Sequence, residues 1–391
     1  MQSVAQAWLV LRLTGSGVAL GITTALQFGP MLVGGPWGGV LADRSNKRKV
    51  LIATQTASAA IALTLGLLVV TGAVRLWMVF LLAFLLGAVN LVDMPTRQSF
   101  VMEMVGRDEV ANAVSLNSVL VNAARILGPA AAGLLIAAVG TGVCFLVNAG
   151  SYSAVITGLL LMDPDRLHAG ARLARGRGQL RAGFKYVWRT SALRTPLLMM
   201  LVVGTLAYNF SVVMPLLARF TFGGGAGTFG VLYALMGSGA VVGGLTVATR
   251  GRTSRRLLAI AAVAFGIALW LAAVAPDLAW EMALMVPTGA ASAAFIATSN
   301  SLLQVTSSQE MRGRVMALFA VVFVGSTPIG GPLVGWIAER FGPRVSLMVG
   351  ASATLLVGLA GWGVLRRARQ RVRRSRPEAL TEPDLMATVP R

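Results

Sequence analysis

Asp93, Arg97 and Glu103 stand in a stretch, residues 76 to 104, that is otherwise apolar. A charge at the centre of a bilayer costs about 2.5 to 3.5 kcal/mol even on the lenient insertion scale, so such residues must pair or face water. Asp93 and Arg97 are four apart and share one helical face, with Pro95 between them to loosen the backbone. They can meet each other, and Arg125 in the following apolar stretch is a second partner for Asp93. The group admits two readings. One is a proton-titratable carboxylate coupled to substrate movement, with Arg97 and Arg125 setting its pKa; the other is an ion pair that holds helices in register. Glu103 is expected to pair with Lys47 or Arg48.

Other chemistry is sparse. There is no Walker loop, no G-x-S-x-G and no H-E-x-x-H, so ATP-driven or hydrolytic work within this chain is not expected. The single histidine, His168, sits in a polar loop. The single cysteine, Cys144, lies in an apolar stretch and excludes a disulfide framework. No metal site, cofactor or catalytic residue is expected.

What must position these charges is a set of lipid-soluble helices. Of 391 residues 56% are hydrophobic and only 12% charged, with a mean hydropathy of +0.74, far from a soluble globular composition. Twelve apolar runs are read between polar punctuation: 1 to 13, 18 to 42, 50 to 71, 76 to 104, 109 to 138, 142 to 162, 195 to 219, 227 to 249, 256 to 275, 279 to 305, 313 to 338 and 344 to 365. Most are long enough to cross about 30 Å of hydrocarbon as a helix. The first is too short. The 45 glycines suit helices that pack backbone to backbone in lipid. The net charge of +20 would raise nucleic-acid binding in a soluble protein, but the charges lie between apolar runs, so no nucleic-acid partner is expected.

Lys and Arg alternate from loop to loop. One side collects Arg44, Lys47, Arg48, Lys49, Arg107, the basic residues from Arg166 to Arg194, Arg250, Arg252, Arg255, Arg256, Arg312, Arg314 and the tail, and the other only Arg12, Arg75, Arg219, Arg340 and Arg344. Basic loops stay inside, so the C-terminus is expected in the cytoplasm of a multi-pass protein of a bacterial inner membrane.

The halves repeat with a shift of about 203 residues: Gly128-Pro129 falls on Gly331-Pro332, and Gly35 with Gly39 falls near Gly239 with Gly243. The same shift predicts that the first helix lacks its opening turns. Residues 1–162 are expected to form one six-helix bundle and 195–365 a second. Residues 163–194 link them and carry an amphipathic helix, with Leu180, Phe184 and Val187 opposite Arg181, Lys185 and Arg189, lying on the membrane surface. The basic tail, 366–391, is expected to be disordered.

After the second run stands Gly39-Val-Leu-Ala-Asp43-Arg44-Ser-Asn46-Lys47-Arg48, which resembles the cytoplasmic loop signature G-x-x-x-D-R-x-G-R-R of the major facilitator superfamily. Asn46 replaces its second glycine and Lys47 an arginine. Gly39 can admit a neighbouring helix, and Asp43 can face the positive end of a helix in the other half. Arg125-Ile-Leu-Gly128-Pro129-Ala-Ala-Ala-Gly133 resembles the G-P-x-x-x-G bend of the superfamily's exporters, where proline and glycines bend the helix and let it pack closely. With Val4-Ala-Gln-Ala-Trp8-Leu-Val, Gly35-Pro36-Trp37 and Asp93-Met-Pro95-Thr-Arg97-Gln98-Ser-Phe, most of the chain looks like the enterobactin-exporter-like branch.

That resemblance implies an all-α twelve-helix fold of two six-helix pseudo-repeats, alternating access, and proton-driven efflux of small amphipathic molecules such as drugs or siderophores. It implies a cytoplasmic gate of Gly39, Asp43, Arg44, Lys47, Arg48 and Glu103. The chain lacks the arginine that many proton antiporters carry early in the fourth span. An importer or uniporter of the same fold is the alternative; a non-transporting scaffold or enzyme finds no catalytic constellation.

Polar residues within the runs, Gln27, Asn90, Asn117, Asn148, Tyr208, Asn209 and Asn300, are candidates to line a substrate cavity, alongside Trp8, Tyr152 and Tyr233. Glu281 opens the tenth run near the outer surface, where a solvated charge is expected. The partners foreseen are a small-molecule substrate, protons and membrane lipid, and the chain is expected to act as a monomer.

Overall fold

The computed structural model describes the backbone of residues 1–105, 109–167, 179–250 and 253–374. The side chains of 36–44, 179–183 and 363–374, of Arg166 and of several residues between 110 and 125 lie outside that description. His168, most of the interhelical linker's polar stretch and residues 375–391 are likewise outside it.

Helices account for nearly everything described: α1 Gln2–Thr14, α2 Gly17–Arg44, α3 Lys47–Val70, α4 Leu76–Met104, α5 Val110–Leu161, α6 Gln179–Arg189, α7 Ser191–Leu206, α8 Phe210–Leu216, α9 Ala226–Arg250, α10 Arg255–Ala273, α11 Leu278–Thr306, α12 Gln309–Phe341 and α13 Pro343–Arg374. Ten of the described segments are long and apolar enough to cross a membrane. Their outward faces carry large apolar side chains such as Trp77, Leu127, Leu245 and Leu356, as lipid solvation allows.

Local chemistry sets the helix ends. Ser16, Asn46, Ser254 and Asp277 each accept a backbone N–H of the helix they precede, so orphan donors of the first turn are satisfied. Gly15, Gly72, Gly223 and Gly342 have positive φ and close the short turns at one end of the bundle. Gly140 (φ 86°, ψ 170°) interrupts α5 with non-helical backbone, dividing it into two helical limbs at the place where the sequence separates its fifth and sixth runs.

Two boundaries differ from the sequence reading. α7 begins at Ser191, inside the expected linker. α13 continues past residue 365 to Arg374, so the start of the expected disordered tail is helix. α6 does form over the amphipathic stretch, but it is not a helix merely resting on lipid. Val187 is buried against the bundle and α6 packs on α7 and α12, while Phe184 and Trp188 stack on its exposed side.

Packing pairs the helices by glycine. α2 packs on α4, where Gly87 faces the carbonyl of Gln27, and α9 packs on α11, where Gly239, Gly243 and Gly289 face opposing backbone. α3 packs on α5 and α10 on α13. α2 also packs closely on α12, and α5 on α9. α1 is buried along almost its whole length, against α2, α4, α5 and α8.

Candidate functional site

Between α1, α2, the α7–α8 break, α9 and α12 lies a cavity of about 260 Å³. Its lining includes Gln6 of α1, Thr23, Thr24, Gln27 and Phe28 of α2, Tyr208 and Ser211 at the break, Tyr233 of α9, and Phe323 and Thr327 of α12. The surface is mixed: apolar rings supply area, while amide and hydroxyl groups supply orientation. No Asp, Glu, Lys or Arg is among these described lining residues.

The break is what brings Tyr208 in. α7 ends at Leu206 and α8 starts at Phe210, and the amides of Val212 and Val213 bond back to the Asn209 carbonyl. Irregular backbone at membrane depth is tolerated where it lines a cavity. Tyr208 donates from its hydroxyl to the Ser292 carbonyl at 2.7 Å and packs against Phe210, Phe265 and Phe323. Tyr208→Phe should therefore lower the stability of the detergent-solubilised protein by about 1 kcal/mol, the worth of one hydrogen bond. Thermal unfolding reads this, and an unchanged midpoint would show that the Ser292 bond contributes nothing.

Of the other cavity candidates, Gln27 is at the lining and the asparagines are not. Asn148 donates to Gln2 Oε1 (3.0 Å), joining α5 to α1. Asn209 donates to the Thr205 carbonyl, and Asn300 accepts from Gln304. Asn90 and Asn117 are half-buried elsewhere.

Asp93 is 4% exposed and fully partnered. Its Oδ1 accepts from Thr54 Oγ1 and Gln55 Nε2, both at 2.7 Å. Its Oδ2 accepts from Arg97 Nε at 3.2 Å and Nη2 at 2.9 Å. The i, i+4 pairing expected on one helical face is present, and α3 supplies two further donors that spacing within α4 could not reveal. The Arg97 side chain is 52% exposed, so one partner is fixed and the other has room to move. Arg125 falls outside the described side chains.

Lys47 Nζ meets Glu103 Oε1 at 2.5 Å, tying the start of α3 to the end of α4. Arg48 turns elsewhere, donating to the carbonyls of Leu159 and Leu160 at the end of α5, where a cation suits the helix terminus. The side chains of Asp43 and Arg44, and Gly39, lie in the part of α2 outside the described side chains.

Contacts between the two helix sets, α1–α5 and α7–α13, gather at the end where α1 turns into α2, termed outer after the charge asymmetry of the loops. A Cβ on Gly17 or Gly21 of α2 would strike the backbone of Gly335 or of Gly331 and Pro332 in α12. A Cβ on Gly133 of α5 would strike Gly230 of α9, whose own Cβ would meet the Pro129 carbonyl. Both glycine-proline stretches thus sit where the sets touch. Gly128 itself is roomy, with its nearest neighbour 3.6 Å from a built Cβ. Glu339 of α12 adds a latch, accepting from Ser16 Oγ at 2.6 Å and from the Val18 amide at 3.0 Å at the start of α2.

Glu281 departs from the sequence reading. It is not solvated but 0% exposed, and neither carboxylate oxygen has a hydrogen-bond partner. Its position near a span's end suggested water; helix packing one turn further in could not be read from spacing.

A family model described as transmembrane secretion effector matches residues 1–389. The chain is similar to the multidrug efflux pump Tap of Mycolicibacterium fortuitum, 26% identical, over 91% of this chain and 89% of that protein. It is similar to the enterobactin exporter EntS of Shigella flexneri, 26% identical, over 92% and 86%. Its fold matches a solved structure of the nucleoside transporter NupG with a TM-score of 0.78 at 12% identity, over 92% and 94% of the two chains.

Proposed function

The chain belongs to the transmembrane secretion effector family of major facilitator transporters, a membrane transporter and not an enzyme, and from that membership we propose that it exports small amphipathic molecules in exchange for protons by alternating access. The observation that carries the proposal is the mixed cavity lined from both ends of the chain, in a relative of drug and siderophore exporters.

The reading takes α1 through α5 as one six-helix bundle, with Gly140 as the turn between its fifth and sixth members, and α7 through α13 as the second, with α7 and α8 counted as one broken member. It is supported by matched pairings. α2 with α4 answers α9 with α11, α3 with α5 answers α10 with α13, and the two cross-set contacts, α2 with α12 and α5 with α9, exchange under the same operation. Halves related by an axis along the membrane normal would produce this pattern. Closure at the outer end corresponds to the inward-facing state. The protein would act as a monomer in a bacterial inner membrane, with the basic loops and the C-terminus in the cytoplasm.

In this scheme Asp93 carries the proton. Four donors converge on its carboxylate in the inward-facing state, and a proton can enter only as Arg97 swings away. Asp43 and Arg44 with Lys47, Arg48 and Glu103 would latch the cytoplasmic end when the outer end opens.

The test is accumulation of an erythromycin-class macrolide and of a catecholate siderophore in everted vesicles carrying the chain, acidified inside by respiration. At least one should accumulate, and nigericin, which collapses the pH gradient, should release it. Accumulation only without the gradient would favour the importer or uniporter.

A further inference from the structure

We infer that Glu281 is a proton-binding site on the outer side, and that the outer end closes only when this carboxyl group has taken a proton from the external water. The inference rests on the alternating-access reading, and it assigns to Glu281 a role separate from that of Asp93.

Glu281 lies one turn into α11, whose start is capped by Asp277. In the closed arrangement it has no solvent contact and neither oxygen is hydrogen-bonded. An ionised carboxylate without donors is far costlier to bury than a neutral acid. Asp93 shows the contrast: nearly as buried, its carboxylate is met by four donors.

The surroundings offer Glu281 no substitute. Of the helices packed against α11, α7 carries Arg194, α9 Arg250, and α10 Arg255 and Arg256, all at their cytoplasmic ends. At the outer end of α12 stand Glu339 and Arg340; Glu339 is engaged with Ser16 and Val18. Arg219 donates to the Leu11 carbonyl. Asp277 accepts from the Trp280 amide. Arg344, at the start of α13, lies in electrostatic range of Glu281, yet its guanidinium donates to the Ala275 carbonyl and sits over the Phe222 ring. Arg344 is therefore the cation an ionised Glu281 would meet once the outer helices part.

The step balances simply: external water gives a proton to the carboxylate as the outer end closes, and receives it back as that end reopens. Glu281 thus gates closure without itself carrying net charge across the membrane. Acid outside favours the closed outer end; alkaline conditions favour the open one.

The test uses spin labels on the full-length protein in nanodiscs, with Ala73→Cys and Pro276→Cys in a Cys144→Ser background; both labelled positions are exposed outer-turn residues. The label separation is followed from mildly acidic to mildly alkaline pH. With Asp93→Asn in every protein, so that no proton at that site enters the profile, the open-to-closed ratio of the parent should rise by up to about tenfold per pH unit between the titration points of the open and closed states, because one proton leaves on opening. In that background Glu281→Gln, which mimics the neutral acid, should remain closed throughout, and Glu281→Ala should be equally insensitive to pH. A pH profile in both Glu281 variants identical to the parent's would overturn the assignment and leave alternating access standing. Absence of any outer opening in the parent at every pH would overturn both.

Discussion

Asn in place of Asp93 is expected to abolish uphill export while leaving the transporter inserted and able to exchange substrate. Four hydrogen bonds converge on the carboxylate. Asn is nearly isosteric and can still accept from Thr54 and Gln55, so the join between α3 and α4 survives. What is lost is the negative charge: Arg97 no longer has a counterion, and no proton can be bound and released. Because the Arg97 side chain is half exposed, its charge can hydrate, and the structural penalty stays well below the roughly 3 to 5 kcal/mol of a fully buried orphan. The initial rate driven by a pH gradient in everted vesicles should fall on the order of a hundredfold, about 2.7 kcal/mol of lost coupling. Exchange of labelled for unlabelled macrolide, which needs no proton turnover, should persist. A variant with parental uphill transport would remove Asp93 from the coupling and leave it as an ion pair holding helices in register.

Gly21→Val should be nearly as damaging by a different route. The built Cβ of Gly21 lies 2.6 Å from both the Gly331 carbonyl carbon and Pro332 Cα; these are backbone atoms, which cannot move aside as a side-chain tip can. Overpacking of this kind costs about 1 to 3 kcal/mol, and the cheapest relief is to part α2 from α12 and leave the outer end open. A bias of that size shifts the open-to-closed ratio by about five- to 150-fold. Export should fall by more than about tenfold with normal amounts of protein in the membrane, and spin labels at 73 and 276 should read a longer separation. Gly128→Ala is the control, since it meets only ordinary contact distances and should transport like the parent. Equal activity of the two variants would mean that the α2–α12 contact does not control the outer end.

Much of this architecture was legible in the sequence because membrane helices leave a coarse record. Hydropathy located the spanning helices from α2 to α12 and the start of α13 to within a few residues, the spacing of Asp93 and Arg97 foretold their ion pair, and the charge pattern narrowed the partner of Glu103 to Lys47 or Arg48, of which Lys47 is the one it meets. The glycine-proline repeats pointed to helix bends, and they lie at the close contacts between the helix sets. The illegible part was three-dimensional. Nothing near Ala207–Asn209 marks a break, since the nearest proline, Pro215, lies beyond it, so the entry of Tyr208 into the cavity was placed only by backbone geometry. The asparagines looked like cavity groups because an apolar run gives no hint of which helix face a polar residue occupies; Asn148 instead bridges two helices. Glu281 was misread for the same reason: distance from a span's end does not measure distance from water when neighbouring helices rise past it.

The positive-φ glycines of the outer turns have a last consequence. With Gly15, Gly72, Gly140, Gly223 and Gly342 folding the chain back within a few residues each, a transporter oriented as proposed would offer the world beyond the cell hardly any handle. In the proposed orientation, an antibody, a phage tail or a secreted protease arriving from outside would find clipped corners and lipid, and the long, basic connections would lie on the cytoplasmic side. Engineering a surface tag would accordingly have to begin by lengthening one of those corners.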